Sequence, residues 1–347
     1  MIKKIIKNIL PKEFSKKIPL AIWEFKNKLR HFFSRRKSFA SFFYSFLSKE
    51  FNREQYAVIQ GIKEKREQKV DQYLLRRNVH RIEKGLAMRP RRPIFGEGFI
   101  EDTLHEFNKL SISNNEEYIW FRDVLGEYFN VTGDSPIITP LRKNFQDKFS
   151  NNDLTNIKPY SRKNAVFSDV TYDQILSLSQ QRRSVRWYKD IKVPRDLIEK
   201  ALKVGLNAPS ACNRQPFEFL VYDDPKKIKK IASIPMGTVG FHQQFPMVIV
   251  VVGDLSAYDN ERDRHVIYID GSLSAMGFIL ALETLGLSSC MINWPDIEPL
   301  ELNMNNELNL PVYKRPLFLI SVGYADQEGI IPYSMKKDIN ETVTYNK

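Results

Sequence analysis

The stretch from Gln181 to Tyr222 constrains the fold most, because it sets a cation cluster, a helix, a polar turn and a strand in a fixed order. Arg182, Ser184 and Arg186 fall on one face if their segment is extended, since side chains alternate along a strand. Two guanidinium groups and a hydroxyl on one face suit a phosphate group. A solvated basic strand end explains the cluster equally well at this point.

The residues after the cluster predict a helix, a loop and a strand. Pro194–Asn207 has a proline at its first turn and an apolar stripe at helical spacing, which is typical of a helix. Phe217–Val221 predicts a strand that anchors the intervening loop, Ala208–Pro216. The polar side chains of that loop, which suit the edge of a planar heterocycle, are Ser210, Asn213 and Gln215.

The pattern R-R-S-x-R, followed about twenty residues later by A-P-S-A-x-N-x-Q-P, resembles the nitroreductase superfamily of flavin-dependent oxidoreductases. The paired motif is specific, whereas neither half alone would be. The resemblance covers residues 168–347 and implies an α+β fold, with a mixed central sheet flanked by helices. It also implies a homodimer that holds a flavin in each of two interface clefts.

The same resemblance implies roles for individual positions. The arginine cluster matches binders of the flavin phosphate and ribityl chain. The polar loop matches a segment that reaches the flavin, often from the other subunit. The residues before Trp294 would run beside the isoalloxazine ring, and a late lysine, Lys336 or Lys337, would lie near the phosphate. The cofactor-binding residues implied in this way are Arg182, Arg183, Ser184, Arg186, Pro209, Ser210, Ala211, Asn213, Gln215, Ile292, Asn293 and Lys337.

The implied chemistry belongs to the cofactor, so no catalytic side chain is predicted. FMN would take hydride from NAD(P)H and pass it to an electron-poor small molecule. The chain has no G-x-G-x-x-G fingerprint for a separate nicotinamide domain. Two alternatives remain open at this point. Relatives of this type fragment their flavin or remove halogen from an aromatic ring, and the fold could also serve as a flavin-binding scaffold or partner module in a membrane-associated assembly.

Length and cysteine content set the domain and compartment predictions. A chain of 347 residues predicts two domains. We place a basic helical region with its linker at residues 1–165 and the flavin-binding domain at residues 166–347. Two cysteines without metal-ligand spacing predict a reducing compartment, a cytoplasmic location and no metal site. We expect no apolar run to approach the ~18–20 residues of a membrane span.

Positive charge is concentrated near the N-terminus. Residues 1–50 hold 13 Lys/Arg against 3 Asp/Glu, and residues 51–100 hold 12 against 6, while the whole chain has a net charge of +12. Residues 2–10 form an amphipathic helical pattern, and many aromatic residues follow. These helices would either pack on the protein itself or contact an anionic membrane or polymer, such as the inner face of the membrane. No nucleic-acid-binding motif accompanies the charge, so no nucleic acid is expected.

The polar segment Asn78–Leu86 lies in a predicted helix that covers residues 51–88. His80 lies one helical turn from Glu83 and Lys84, so the three share a face. Gly85 is expected to cap the helix. The segment could be an insert that covers the flavin pocket and helps to select a substrate, or a capped helix end with ordinary surface charges. Residues 133–168 are polar and predict a linker or wrapped loop.

The first testable prediction concerns attachment of the basic N-terminal region to an anionic membrane surface. Full-length protein should co-sediment with anionic vesicles, and salt should weaken this binding, because such attraction is screened over about 10 Å at 0.1 M. A truncated chain that begins at Asn52 should lose the binding, since it lacks the most basic stretch. Equal binding by the full-length and truncated chains would contradict the hypothesis.

Overall fold

The apolar run that predicts a buried strand forms β2 (Met247–Asp254), in which every residue is buried. It belongs to a four-stranded antiparallel sheet with β1 (Phe217–Tyr222), β3 (Ser288–Asn293) and β4 (Lys314–Gly323), in the order β1-β2-β4-β3. Both faces of β2 are covered, which explains its unbroken apolar sequence. The α+β class is confirmed. The only parallel pairing within residues 24–346 is a single bridge from Ser184 to Ser289, so the predicted mixed sheet is antiparallel in its four strands.

The computed structural model describes residues 24–346 of a chain that divides into two compact units, Met1–Tyr56 and Ala57–Lys347. The amphipathic helix predicted at residues 2–10 lies outside the described residues. The predicted domain boundary between residues 165 and 166 stays a prediction.

Aromatic rings dominate the described part of the first unit. Residues 24–33 are helical, α1 spans Lys37–Phe42, and a π-helical turn spans Phe43–Leu47. The ring of Phe33 packs against that of Phe43 with 5.4 Å between centroids. Other rings are exposed, including Phe25 and Phe46. Exposed rings among cations agree with the vesicle hypothesis, which stays a prediction.

The next two helices are α2 (Asn52–Glu67), which begins in the first unit and continues into the second, and α3 (Gln72–Leu86). The single helix predicted over residues 51–88 is therefore wrong, because the chain breaks between them. The break is stabilised by Asp71, whose Oδ1 accepts a hydrogen bond from the Leu74 N–H at 2.8 Å and caps α3. Its other oxygen lies 2.6 Å from Lys65 Nζ.

A separate hydrophobic core joins α3 to the next three helices, α4 (Glu97–Asn108), α5 (Glu116–Val131) and α6 (Ile138–Gln146). The linker predicted at residues 133–168 is wrong for α6, because Ile138 and Phe145 are buried in this core. The loop beyond α6 is pinned by the buried carboxylate of Asp123. That carboxylate accepts hydrogen bonds at 2.9 Å from the Thr155 N–H, the Thr155 hydroxyl and the Ile157 N–H.

The remaining helices are α7 (Tyr172–Gln181), α8 (Arg195–Gly205), α9 (Pro225–Ala232), α10 (Val266–Thr284) and α11 (Glu298–Leu308). Helix α8 packs along α10. The approach is close, since a Cβ on Gly205 would lie 2.8 Å from the Ser274 carbonyl oxygen. By length and composition alone the segment Glu261–Thr284 could cross a membrane, contrary to the sequence expectation. Half of its apolar window is buried inside the protein.

Candidate functional site

Helix α10 carries two charged residues, Asp270 and Glu283, in an otherwise uncharged sequence. At 1.5 Å per residue they lie about 20 Å apart along the helix axis. Each contacts one of the two segments that the sequence predicts to bind a flavin. The geometry of the candidate site therefore follows from this helix.

Asp270 holds the polar loop that precedes β1. Its carboxylate, which is 2% exposed, accepts a hydrogen bond from the Ser210 hydroxyl at 2.6 Å. The Ala211 N–H donates to the same carboxylate at 3.1 Å. The Ser210 oxygen in turn accepts from the Gln215 N–H at 2.8 Å. One buried carboxylate thus orders both ends of the loop. Burial raises the pKa of Asp270, while the bonds from Ser210 and Ala211 oppose that shift.

The loop backbone is strained at three positions that are not glycine. Cys212, Asn213 and Gln215 have φ of +54°, +52° and +53°, in the left-handed region. Each such residue costs on the order of 1–3 kcal/mol and persists only where its surroundings impose it. Helix α3 helps to hold the loop in this conformation, since Arg76 Nε donates a hydrogen bond to the Asn213 carbonyl oxygen at 3.1 Å. Strain of this kind is typical of ligand-binding segments.

Residues of the arginine cluster influence the thiol of Cys290 on β3. Burial raises the pKa of that thiol, whereas the charges of Arg186 and Arg182 and a hydrogen bond with Ser184 lower it. The predicted placement of these three side chains on one face stays a prediction. Arg183 is not among the groups that shift the pKa of Cys290. Its Nη1 donates to the Arg182 carbonyl oxygen at 3.0 Å.

Glu283 of α10 interacts with the residues at the start of the arginine cluster. Its Oε2 accepts a hydrogen bond from Gln181 Nε2 at 3.2 Å. Burial raises the pKa of Glu283, although Gln181 and the charge of Arg182 act against the rise. Arg182 Nε is buried and has no hydrogen-bond partner among the described residues. A buried donor without an acceptor costs free energy, so this position favours an incoming anion.

The other predicted residues have less defined surroundings. On β3, Ile292 is buried and Asn293 is exposed. The next residue, Trp294, is buried, and its Nε1 has no partner in the part of the chain that the structure describes. Pro209 and Ala211 are exposed on the loop surface. Lys337 is also exposed, in a C-terminal segment without regular secondary structure, and no hydrogen bond or ion pair joins it to the arginine cluster among residues 24–346.

One chain does not bring the two halves of the predicted site together. The loop precedes Phe217 at the β1 edge of the sheet, whereas the cluster bridges to Ser289 at the β3 edge. Phe217 pairs with Gly253, near the start of β4, and Ser289 pairs with Val322 at its end. With strands about 4.8 Å apart and a rise of about 3.3 Å per residue, the two halves are separated by roughly 25 Å.

Sequence reasoning missed the residues that hold these segments in place. Asp270 and Glu283 could have been found, because two lone carboxylates in an apolar helix need partners when buried. Arg76 and Gln244 gave no such signal. The Gln244 side chain accepts from the Tyr188 N–H at 2.9 Å and donates to the Arg186 carbonyl oxygen, which fixes the backbone of the cluster.

The segment that contains His80 lies beside the loop, since α3 packs against the turn Ala211–Asn213. His80 Nδ1 lies 3.2 Å from Glu83 Oε2, and Trp120 Nε1 donates to Glu83 Oε1 at 2.8 Å. The predicted His80–Glu83 face is thus a hydrogen-bonded pair. No group of His, Cys, Asp and Glu suited to a metal ion occurs among the described residues.

Comparisons with known proteins identify the family. The Nitroreductase family profile matches residues 180–244 and 236–324. A protein from Archaeoglobus fulgidus, provisionally named NADH dehydrogenase/NAD(P)H nitroreductase, is 31% identical over 45% of this chain and 88% of its own length. The chain belongs to the nitroreductase family. As a nitroreductase-family member it is an oxidoreductase, and its N-terminal helices extend beyond the matched residues.

Other relatives of this nitroreductase-family protein have different names. An iodotyrosine deiodinase from Haliscomenobacter hydrossis is 29% identical over 45% of this chain and 82% of its own length. Among solved structures, an FMN-dependent nitroreductase from Clostridium difficile R20291 is 28% identical, covers 50% of this chain and 99% of its own, and has a TM-score of 0.43.

The raised pKa of Asp270 predicts a pH dependence of stability. A carboxyl whose folded pKa exceeds its usual 3.8 binds more protons in the folded state, so the free energy of unfolding falls as pH rises through that window. Asp270→Asn removes the titration. Urea unfolding from pH 3 upward should therefore show wild type losing stability relative to Asp270→Asn as pH rises above 3.8. A difference that stays constant with pH would contradict this account.

Proposed function

We propose that this nitroreductase-family protein binds FMN at its arginine cluster and catalyses hydride transfer from NAD(P)H to an electron-poor small molecule. The observation that carries the proposal is the buried Arg182 Nε–H, which lacks an acceptor among the described residues and lies in the segment that also carries Ser184 and Arg186. A phosphate monoester supplies the missing acceptor oxygens.

The chain's own residues then have separable tasks. Two guanidinium groups balance the charge of a phosphate, which approaches −2 near neutral pH. Asn213 and Gln215, held in left-handed conformations, offer amide groups to the edge of a flavin ring. The indole N–H of Trp294, which has no partner among the described residues and lies next to Asn293, would be a further donor to the flavin. The flavin supplies the hydride chemistry when bound, and the protein orients it and selects the acceptor.

A homodimer follows from the separation of the two halves. On α10, Ile269, Leu273 and Met276 recur at i, i+4 and i+7 and are 57%, 43% and 43% exposed. They form an apolar seam for a second copy of this chain. Met276 lies midway between Asp270 and Glu283. A twofold axis near it would pair two α10 helices antiparallel, so that the loop of one protomer approaches the arginine cluster of its partner.

Reductive dehalogenation is the second candidate, since several relatives bear the name iodotyrosine deiodinase. A scaffold role without turnover is a third. Steady NAD(P)H consumption with a nitroaromatic or quinone acceptor supports the proposed activity. Consumption only with a halogenated phenol would favour dehalogenation, and no consumption with bound flavin would favour the scaffold.

Replacement of Arg186 tests the phosphate assignment. Arg186→Ala should remove one or two charge-assisted hydrogen bonds, costing roughly 2–4 kcal/mol, or about 30- to 1,000-fold in FMN affinity. Riboflavin has no phosphate, so its weaker binding should change little. The measurement is flavin fluorescence titration of apoprotein with both ligands.

Arg183→Ala is the matched control for this titration, because Arg183 carries the same charge in the same segment but is not among the groups that act on Cys290. Its effect on FMN affinity should be small. If Arg186→Ala weakens FMN and riboflavin equally, the phosphate assignment is wrong.

The proposed homodimer makes a separate prediction. The FMN-saturated protein should be a dimer by light scattering, and a flavin-loaded monomer would contradict the two-chain site.

A further inference from the structure

A second cavity, of about 330 Å³, lies between α3 and α4 in the N-terminal helical region. Its walls include the rings of Phe95 and Phe99 and three cationic side chains, Arg81, Lys84 and Arg92. All of its lining residues belong to the continuous segment from Arg81 to Phe99, so it includes none of the residues assigned to the flavin. We call it the α3–α4 pocket.

The three cations of the α3–α4 pocket form no ion pair with any described residue. Arg81 Nη1 donates only a 3.3 Å hydrogen bond, to Asn78 Oδ1, and its guanidinium group lies 3.7 Å from the centroid of the Phe99 ring. Desolvation and the positive charge of Arg77 lower the pKa of Arg81. A bound anion would supply the counterion that these three side chains lack among the described residues.

The walls of the α3–α4 pocket are fixed by contacts with the helical core. The Tyr128 hydroxyl donates to the Phe95 carbonyl oxygen at 2.8 Å, and the Gly133 N–H donates to the Pro93 carbonyl oxygen at 2.7 Å. The two rings Phe95 and Tyr128 pack edge to face with centroids 5.1 Å apart. The pocket is therefore preorganised, which lowers the entropic cost of binding.

Two glycines make the shape of the pocket possible. A Cβ on Gly85 would lie 2.4 Å from the Phe95 ring, so only glycine leaves room for that wall. Gly85 was expected to cap α3, but the C-cap is Ala87, and the expectation was wrong. Gly96, with φ of +80°, begins α4 and has no side chain to cap it. The first backbone N–H groups of α4 are thus available beside the pocket.

We propose that the α3–α4 pocket binds a phosphate monoester whose organic part is apolar or aromatic. Arg81, Lys84 and Arg92 supply the positive charge, and the rings of Phe95 and Phe99 contact the organic part. The positive charge of these side chains alone would attract any anion without selecting among them. A concave site with cations and aromatic rings favours an anion that carries a hydrophobic group.

The test is calorimetric titration of the protein with phenyl phosphate, inorganic phosphate and phenol, each with and without saturating FMN. Phenyl phosphate should bind saturably at one site per chain, more tightly than inorganic phosphate, and phenol should show no binding. FMN should not change these results. Arg92→Gln and Lys84→Gln should each weaken phenyl phosphate about tenfold, as expected for loss of one charged contact.

Arg91→Gln is the matched control, because it removes the same charge one residue from Arg92 at a position that does not line the pocket. It should leave the affinity within about twofold, well below the tenfold of one lost contact. Equal weakening by Arg91→Gln and Arg92→Gln would show diffuse surface attraction and overturn the proposal, as would the absence of saturable binding. If Arg186→Ala abolished phenyl phosphate binding, the ligand would be in the proposed flavin site, which would overturn this pocket and leave the flavin proposal intact.

Discussion

The hydrogen bonds of buried Asp270 determine how the rest of this structure is arranged. Removing a carboxylate from water is unfavourable, and the bonds from Ser210 and Ala211, together with the charge of Arg214, offset that cost. Those bonds fix a loop whose residues would otherwise avoid positive φ. On its other side the loop accepts a bond from Arg76 of α3. The strained turn is thus one of the contacts that join the sheet domain to α3.

Glu283, the second carboxylate of α10, lies at the opposite end of the helix from Asp270. Asp270 holds the loop near one end of the helix, and Glu283 lies beside the arginine cluster near the other. The rigid helix keeps the two carboxylates about 20 Å apart along its axis. In the proposed homodimer, two chains together complete each site, and the exposed apolar stripe of α10 lies in their contact.

The sequence predicted most of the sheet domain because local patterns dominate there. The strand at Met247 follows from an apolar run, and α9 begins at Pro225, where Asp224 caps it. The wrong predictions concern segments whose secondary structure depends on contacts with residues far away in the sequence. Helix α6 exists because Ile138 and Phe145 fill a core made by other helices, and the break before α3 depends on Asp71 and Lys65. The arginine cluster stands out through its motif, and Asp270 as a lone carboxylate in an apolar helix offered a signal as well. Arg76 and the α3–α4 pocket depend on tertiary packing that no local pattern encodes.

Mixed dimers test the two-chain site most directly. One chain carries Arg182→Ala and Arg186→Ala with an intact loop; the other carries Asn213→Ala and Gln215→Ala with an intact cluster. Co-expressed with different affinity tags, the purified heterodimer should contain one intact site, so it should bind FMN at half the wild-type stoichiometry while each mutant homodimer binds little. If both halves of a site came from the same chain, every site in the heterodimer would be defective. A heterodimer that binds no more FMN than the mutant homodimers would therefore contradict the account.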